Sequence, residues 1–312
     1  MADVFVVGSI NQDFVLSVEH RPEPGETVTD AQLSKGNGGK GANQAAAAAL
    51  LGASVTFLGR VGDDGLGEPL VGALAEKGVE TGLIEAAPGW ATGTAFITVT
   101  PDGENAITVA PGANRSLSRD DVDGASESIG EARVLVAQME VPPEVVTRAV
   151  EVAAEQGTRA LVNLAPPTQL PPELLEKLDP LVVNEHEAAF LLEKKVEGVD
   201  GALDAAVELL AQGPKSAVIT LGKEGTVFSD GKSTEHIPSP EVEVVDTTGA
   251  GDAFVGALAA KLARDDPLED AVSYAVRAGA AAVTKEGAQG ALPTPEAVEN
   301  LWSTPAARRA DD

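Results

Sequence analysis

One carboxylate in this chain stands where it could act on a phosphoryl group. Asp252 lies within VEVVDTTGAGDAFVGALAAKL, residues 242–262. Val242 and Val244 alternate about Glu243, which predicts a strand. Phe254, Leu258 and Leu262 then recur every four residues, which predicts a helix. Between them DTTGAG supplies the turn. Gly249 and Gly251 permit backbone geometry in which successive N–H groups, those of Gly249, Ala250 and Gly251, point into one concavity. Those N–H groups and the positive end of the helix dipole form a cradle for phosphate oxygens. Asp252, in the first turn beside that cradle, is placed to take a proton from a hydroxyl attacking a phosphoryl group. An acid in a first helical turn is also an ordinary stabilising device, but that reading leaves the preceding glycines and threonines without a purpose.

A second glycine cluster, KGNGGKGANQAAAAALLG, spans residues 35–52. Gly36, Gly38 and Gly41 match G-x-G-x-x-G, so a dinucleotide fingerprint and hence a nicotinamide-dependent oxidoreductase is one reading. The preceding DAQLSK is a poor buried strand, and no acidic residue closes a second strand about 20 residues on. A Walker A loop fails because Lys40 is followed by glycine. What remains is a glycine-lined wall carrying Lys40, Asn43 and Gln44, near Asn11 and Asp13 of GSINQD. Amides and a carboxylate suit a polyhydroxylated ligand, although each cluster alone is also ordinary turn chemistry. NEHEA (184–188) reads as an N-capped helix start whose Glu187 can hold Mg²⁺ through water. TLGKEG (220–225) reads as a turn or as the floor of a nucleotide site. His20, His186 and His236 have no metal-ligand spacing.

These residues need a rigid frame, and the sequence supplies one. The chain has 312 residues, of which 43% are hydrophobic and only 3% aromatic, so the core is aliphatic and alanine-rich. Continuous apolar runs at 4–8, 55–59, 134–138, 160–165, 180–184 and 216–222 alternate with helix-like segments such as 144–156, 185–193 and 201–212. This pattern predicts an α/β fold with a doubly wound, mostly parallel sheet flanked by helices. Residues 14–36 and 92–110 break the rhythm. The second reads as a hairpin about Asp102-Gly103, and together they predict a small β-sheet lid. Residues 1–303 read as one domain and 304–312 as a polar tail.

The net charge of −27, from 49 acidic against 22 basic residues, argues against a nucleic-acid surface. The interspersed acids and scarce lysines resemble those of proteins adapted to molar salt. Cysteine is absent, which removes disulfides, thiolate metal sites and a cysteine nucleophile. No signal peptide or membrane span is read, so a soluble cytoplasmic protein is expected.

In order, GSINQD, PGETV, GGKGANQA, GDDGLG, QMEVP, NLAPP, NEHEA, TLGKEG, DTTGAGDAF and VTKEGAQ resemble the PfkB (ribokinase-like) carbohydrate kinases, in particular the ribokinase branch. The resemblance implies ATP, Mg²⁺ and transfer of the γ-phosphoryl group to a sugar hydroxymethyl, O5 of a pentose in ribokinases. It implies Asp252 as base, with the Gly249, Ala250 and Gly251 N–H groups as anion hole. Asn11, Asp13, Gly39, Lys40, Asn43 and Glu140 become the sugar set, and Asn184, Thr220, Gly222, Gly225 and Gly251 the nucleotide set. Asp246, Thr248, Val283, Glu286 and Ala288 become a potassium site. The lid becomes the clasp of a homodimer. Val276 stands where the family tends to carry Asn or His against the adenine. Lys35 and Arg115 are either solvent charges or a grip for a phosphate already on the substrate, as in ribose 1-phosphate. A nucleoside or hexose kinase and a noncatalytic sugar-binding regulator on the same fold are the other readings.

Overall fold

The computed structural model describes residues 2–102 and 105–301. The chain opens with β1 (Val4–Val7), β2 (Asn11–Ser17) and β3 (Gln32–Gly38), followed by α1 (Lys40–Leu50). Next come β4 (Val55–Gly62), α2 (Gly67–Glu76), β5 (Val79–Ala87), β6 (Gly93–Val99) and β7 (Asn105–Ala110). Short helices α3 (Arg119–Gly124) and α4 (Ser126–Glu131) lead into β8 (Val134–Gln138), α5 (Pro143–Gln156) and β9 (Arg159–Asn163). Then follow α6 (Pro172–Leu175), β10 (Leu178–Asn184), α7 (Glu185–Leu192), α8 (Gly198–Ala211) and β11 (Ala217–Thr220). The hairpin β12 (Thr226–Ser229) and β13 (Thr234–Ile237) precedes α9 (Ala250–Leu262), α10 (Leu268–Ala282) and α11 (Pro295–Asn300).

The apolar runs become one nine-stranded sheet in the order β13-β12-β11-β10-β9-β8-β1-β4-β5. Its pairs are parallel from β11 to β5, and β12 and β13 join antiparallel. Alternation along β1 sets the layers. Val4 and Val6 face a core shared with α1, α9 and α10, whereas Phe5 and Val7 face a core shared with α5 and α8. Both faces are covered, as continuous rather than alternating apolar runs require. The alanine run has a packing reason. Ala45–Ala48 are buried against α9, and a Cβ at Gly256 would stand 2.5 Å from the Ala47 Cβ.

The second sheet, β3-β2-β6-β7, is the lid. Register places Asn11, Asp13, Val15 and Ile97 on one face and Phe14, Lys35 and Phe96 on the other. The Phe14 and Phe96 rings stack at 5.5 Å on that second face. The hairpin turn expected at Asp102-Gly103 lies partly outside the described residues, as does the 304–312 tail.

One expected strand is absent. The strand expected about Glu243 does not form. Val244 is 59% exposed, and the Val245 and Asp246 N–H groups donate to the Val283 carbonyl instead of to a strand neighbour. The edge of the sheet at this end is already supplied by the β12–β13 hairpin, which turns at Asp230-Gly231. β5 (VETGLIEAA) has no continuous apolar run to mark it, because polar residues interrupt it.

Candidate active site

The chain leaves β1 for β4 on one side and returns to β8 on the other, which opens a crevice at the carboxyl ends of the strands. The polar residues that end the buried runs gather there: Ser9 and Asn11 after β1, Gln138 and Glu140 after β8, Asn163 on β9, Asn184 on β10 and Thr220 on β11. The N-terminus of α9 enters the same crevice.

Glu140 anchors the sugar-side wall. Its Oε2 accepts from the Ser9 Oγ at 2.6 Å and from the Lys40 N–H at 3.0 Å, which fixes the first turn of α1. Gly39 has φ +90, and a Cβ there would lie 2.8 Å from the Asn11 nitrogen. Asn114 ties in the root of the lid by accepting from the Ile10 N–H at 2.9 Å and donating to Asn11 Oδ1 at 2.8 Å. Nothing local in the sequence marks Asn114 for this role, which depends on contacts more than 100 residues away.

Asp13 is buried, and a Cβ on Gly38 would meet its Oδ2 at 2.1 Å. Burial first, then the Glu140 and Asp252 charges, pushes its carboxyl up to about 7. Lys40 is held charged by Asp252 first, against burial, with help from Glu140 and Glu187. The sign of the Asp13 shift gives a prediction. The folded state holds this proton more tightly than the unfolded chain at 3.8, so stability is lost as pH rises from about 4 through 7. Asp13→Asn is therefore expected to leave the melting temperature unchanged near pH 4. Above pH 7 it should stabilise the fold by on the order of 2–4 kcal/mol, while raising the sugar KM at least about tenfold. Thermal melts across pH 4–9 check the first part.

Asp252 is 7% exposed, and each of its oxygens takes one amide donor. Asn43 Nδ2 donates to Oδ2 at 2.8 Å and Gln44 Nε2 to Oδ1 at 3.0 Å. Gly249 has φ +76 and no room for a side chain, since a Cβ would lie 3.0 Å from the Ala288 Cα. At Gly251 nothing lies within 4 Å of a Cβ position, so the N-terminal face of α9 is open to the crevice.

Three cavities join into one trough about Asp252. The first, about 620 Å³, is lined by Asn11, Lys40, Asn114, Arg115 and Glu140 among others. The second, about 230 Å³, shares Lys40 and adds Asn184, Glu187, Gly249, Gly251 and Asp252. The third, about 830 Å³, shares Thr220 and Gly251 and runs past Gly222 and Gly225 to apolar Phe254 and Val276. One end carries the charged and amide side chains on a wall completed by Val109, Met139, Val141 and prolines. The other is largely apolar and uncharged apart from Lys223 and Glu241, and the carboxylate with its glycine cradle lines the cavity between them. That is the arrangement for moving a group between two ligands.

Asn184 and Glu187 form a reciprocal cap, with Glu187 Oε2 accepting the Asn184 N–H at 2.8 Å and Asn184 Oδ1 accepting the Glu187 N–H at 2.9 Å. Burial pushes the Glu187 carboxyl up, opposed by the Asn184 N–H, Lys40 and His186. Asp246 accepts from Thr248 N at 2.9 Å, Thr248 Oγ1 at 2.7 Å and Gly287 N at 2.8 Å. Burial raises its carboxyl, but these donors outweigh burial and hold it below the usual range. Val283 and Ala288 lie in the same loop contact, and Glu286 belongs to that loop with its side chain exposed.

Lys35 does not join the sugar wall. It sits on the far face of the lid, with its ammonium 5.2 Å from the Phe14 ring centre, because β3 alternates and Gly36, not Lys35, shares the face of Asp13. A two-cation phosphate grip by Lys35 and Arg115 is therefore not assembled. The dinucleotide reading also loses its basis. Gly36 and Gly38 lie within lid strand β3, not in a turn between a central strand and a helix.

The sequence matches the family model described as pfkB family carbohydrate kinase over residues 1–295. It is 40% identical over 301 residues to the ribokinase of Staphylococcus aureus (strain COL), covering 96% of this chain and 99% of that one. It is 38% identical over 303 residues to the ribokinase of Bacillus subtilis (strain 168), covering 97% and 100%. Its fold is similar to the structure of Arabidopsis thaliana ribokinase complexed with ribose and ATP, with a TM-score of 0.89, 29% identity, and coverage of 97% and 99%. With a doubly wound sheet, a β-lid and a trough divided by Asp252, the chain belongs to the pfkB family of carbohydrate kinases.

Proposed function

We propose that the chain is an ATP-dependent kinase that transfers the γ-phosphoryl group to the 5-hydroxymethyl of ribose. The observation that carries this reading is the run of three adjoining cavities, with charged and amide side chains gathered at the polar end, a largely apolar wall at the other, and Asp252 and the α9 N-terminus lining the cavity between. Ribose lies at the polar end against Asn11, Asp13, Gly39, Lys40, Asn43 and Glu140. The buried Asn43 Oδ1 has no hydrogen-bond partner among the described residues, which leaves it able to accept a sugar hydroxyl that reaches past Lys40. The nucleotide lies at the other end against Asn184, Thr220, Gly222, Gly225 and Gly251, with its base between Val276 and Phe254.

Asp252 takes the proton of the 5-hydroxyl as that oxygen forms its bond to the γ-phosphorus and the bond to the ADP oxygen breaks. The N–H groups of Gly249 and Gly251, joined by that of Ala250 once it leaves the Thr247 carbonyl to which it donates at 3.3 Å here, hold with the Lys40 ammonium the charge spread over the transferring group. Mg²⁺ bound to ATP neutralises phosphate charge when present. Buried Glu187 on the wall of the middle cavity fits it through water. A potassium ion fits the loops of Asp246, Thr248, Val283, Glu286 and Ala288, because Asp246 is a charged carboxylate with no ion pair among the described residues. Since Ala288 backs Gly249, order in that loop is order in the cradle.

A homodimer through the lid is supported by the exposed Leu33, Phe96, Ile107 and Val109, all on lid strands. Among the described residues no helix is long and apolar enough to cross a membrane, and ATP as the phosphoryl donor supports a cytoplasmic reaction. The acidic coat argues for activity in molar salt.

ADP release from ATP and Mg²⁺ in molar KCl tests the reading, with ribose, ribose 1-phosphate, adenosine and a hexose as acceptors. Turnover dependent on ribose and highest with it is expected. Turnover confined to another acceptor overturns the substrate, and sugar binding with no turnover makes the chain a binding protein.

A further inference from the structure

Asp252 is held by more than Asn43. Gln44, 1% exposed on α1, lies at the centre of a chain of side-chain amides that crosses three central strands. Gln138, fully buried at the end of β8, donates from Nε2 to Gln44 Oε1 at 2.7 Å. Gln44 Nε2 donates in turn to Asp252 Oδ1 at 3.0 Å and to Asn163 Oδ1 at 3.1 Å. Asn163 Nδ2 reaches the Val182 carbonyl at 3.3 Å, which ties the chain to β10.

The direction of this relay follows from charge. If the Gln44 amide were turned over, its oxygen would face a carboxylate oxygen and the Asn163 oxygen, so its NH₂ must point there. Its own oxygen then requires a donor, and Gln138 must present its NH₂. That leaves Gln138 Oε1 turned toward Gly8, where a Cβ would lie only 2.3 Å away, and this buried atom has no partner among the described residues. A buried orphan acceptor destabilises the fold, and apolar side chains at positions 44 and 138 together would avoid it. The relay is thus paid for in stability, and what it gains is an aimed N–H at Asp252.

Resting on the kinase reading above, we infer that Gln44, oriented by Gln138, is a positioning residue for the reaction. It pins Asp252 Oδ1 while Asn43 pins Oδ2, so the carboxylate cannot turn and presents one fixed edge to the attacking hydroxyl. The other charged groups around Asp252 are Asp13 on the lid, Lys40 on α1, Glu140 after β8 and Glu187 on α7. None of them takes a hydrogen bond from Gln44.

The test measures kcat, ribose KM and the pH profile of kcat for wild type, Gln44→Met, Gln44→Glu, Gln138→Met and the double methionine variant, each with its melting temperature. Gln44→Met is expected to lower kcat about 10–100-fold with ribose KM within about threefold. Gln44→Glu, of the same shape but with an acid where the donor stood, should move the acidic limb of the profile up by about one pH unit or more, because two adjacent carboxyls share a proton. Gln138→Met removes one buried orphan acceptor but leaves Gln44 Oε1 without its donor, so its melting temperature should stay near or fall slightly below that of wild type while kcat falls. The double variant should lose no more than Gln44→Met alone, because Gln138 acts through Gln44. Folded variants whose kcat stays within twofold and whose profiles are unmoved would overturn the inference, as would additive losses in the double variant. A wild type without ribose-dependent turnover overturns the kinase reading along with it, whereas an active wild type with indifferent variants overturns this inference alone.

Discussion

Asp252→Asn lowers kcat for ribose phosphorylation by about 10³–10⁴-fold and leaves the ribose and ATP KM values within a few-fold. The substitution keeps volume and shape at a site that is 7% exposed, so the trough does not change. Basicity is what disappears. The 5-hydroxyl then attacks with its proton still on, and the loss corresponds to roughly 4–5 kcal/mol of transition-state stabilisation. A smaller effect accompanies it. Asn43 and Gln44 each aim an N–H at this side chain, at 2.8 and 3.0 Å, and an amide can satisfy only one of them with its oxygen. The variant should therefore melt slightly lower than wild type, by an amount equivalent to about 1–3 kcal/mol. Single-turnover measurements with saturating ribose separate the chemical step from binding. A variant retaining a tenth of the wild-type rate would remove Asp252 from the role of base.

Gly256→Ala is the second large expectation, and it acts without touching a ligand. Gly256 lies one helical turn beyond Asp252 on α9, where α9 crosses α1. A Cβ there would sit 2.5 Å from the Ala47 Cβ, 2.6 Å from the Gln44 carbonyl oxygen and 2.8 Å from the Ala48 nitrogen. Two of these three atoms are backbone, so no side-chain rotation relieves the contact and the helices must separate. Overpacking of this kind costs about 1–3 kcal/mol. The separation falls on the two residues that hold Asp252, since Asn43 and Gln44 are carried by α1. The expected result is a melting temperature lower by several degrees and a kcat reduced about tenfold or more at temperatures where the variant is fully folded. Calorimetry and steady-state rates on the same sample check it. An unchanged kcat in a destabilised variant would show that the helix contact supports the fold and not the base.

Much of this was legible in the chain, for identifiable reasons. Buried parallel strands must be apolar on both faces, so VFVV, VLVAQ and LVVN announce themselves. A glycine turn running into a helix start marks the α9 cradle. The lid was readable because its strands interrupt the βα rhythm. Its start at Asn11 was not, because NQD is too polar to read as a strand until it is seen to face a crevice. The strand expected at 242–245 failed because alternation is equally the mark of a loop that lines a cavity with its valines. The relay through Gln44 and Gln138 was invisible for a different reason. A glutamine at the end of an apolar run has no local signature, and its role exists only once β1, β8 and β9 lie side by side. Lys35 shows the converse, since one residue of register decides which face of the lid a charge occupies.

The most direct test of the central claim is the position of the new phosphate. Wild-type protein incubated with ribose, ATP and Mg²⁺ in molar KCl, followed by ³¹P and ¹H nuclear magnetic resonance of the product, should give one phosphate ester on the 5-hydroxymethyl, with none formed by Asp252→Asn. A phosphate on C1, or an ester formed equally well by the Asp252→Asn variant, would contradict the account.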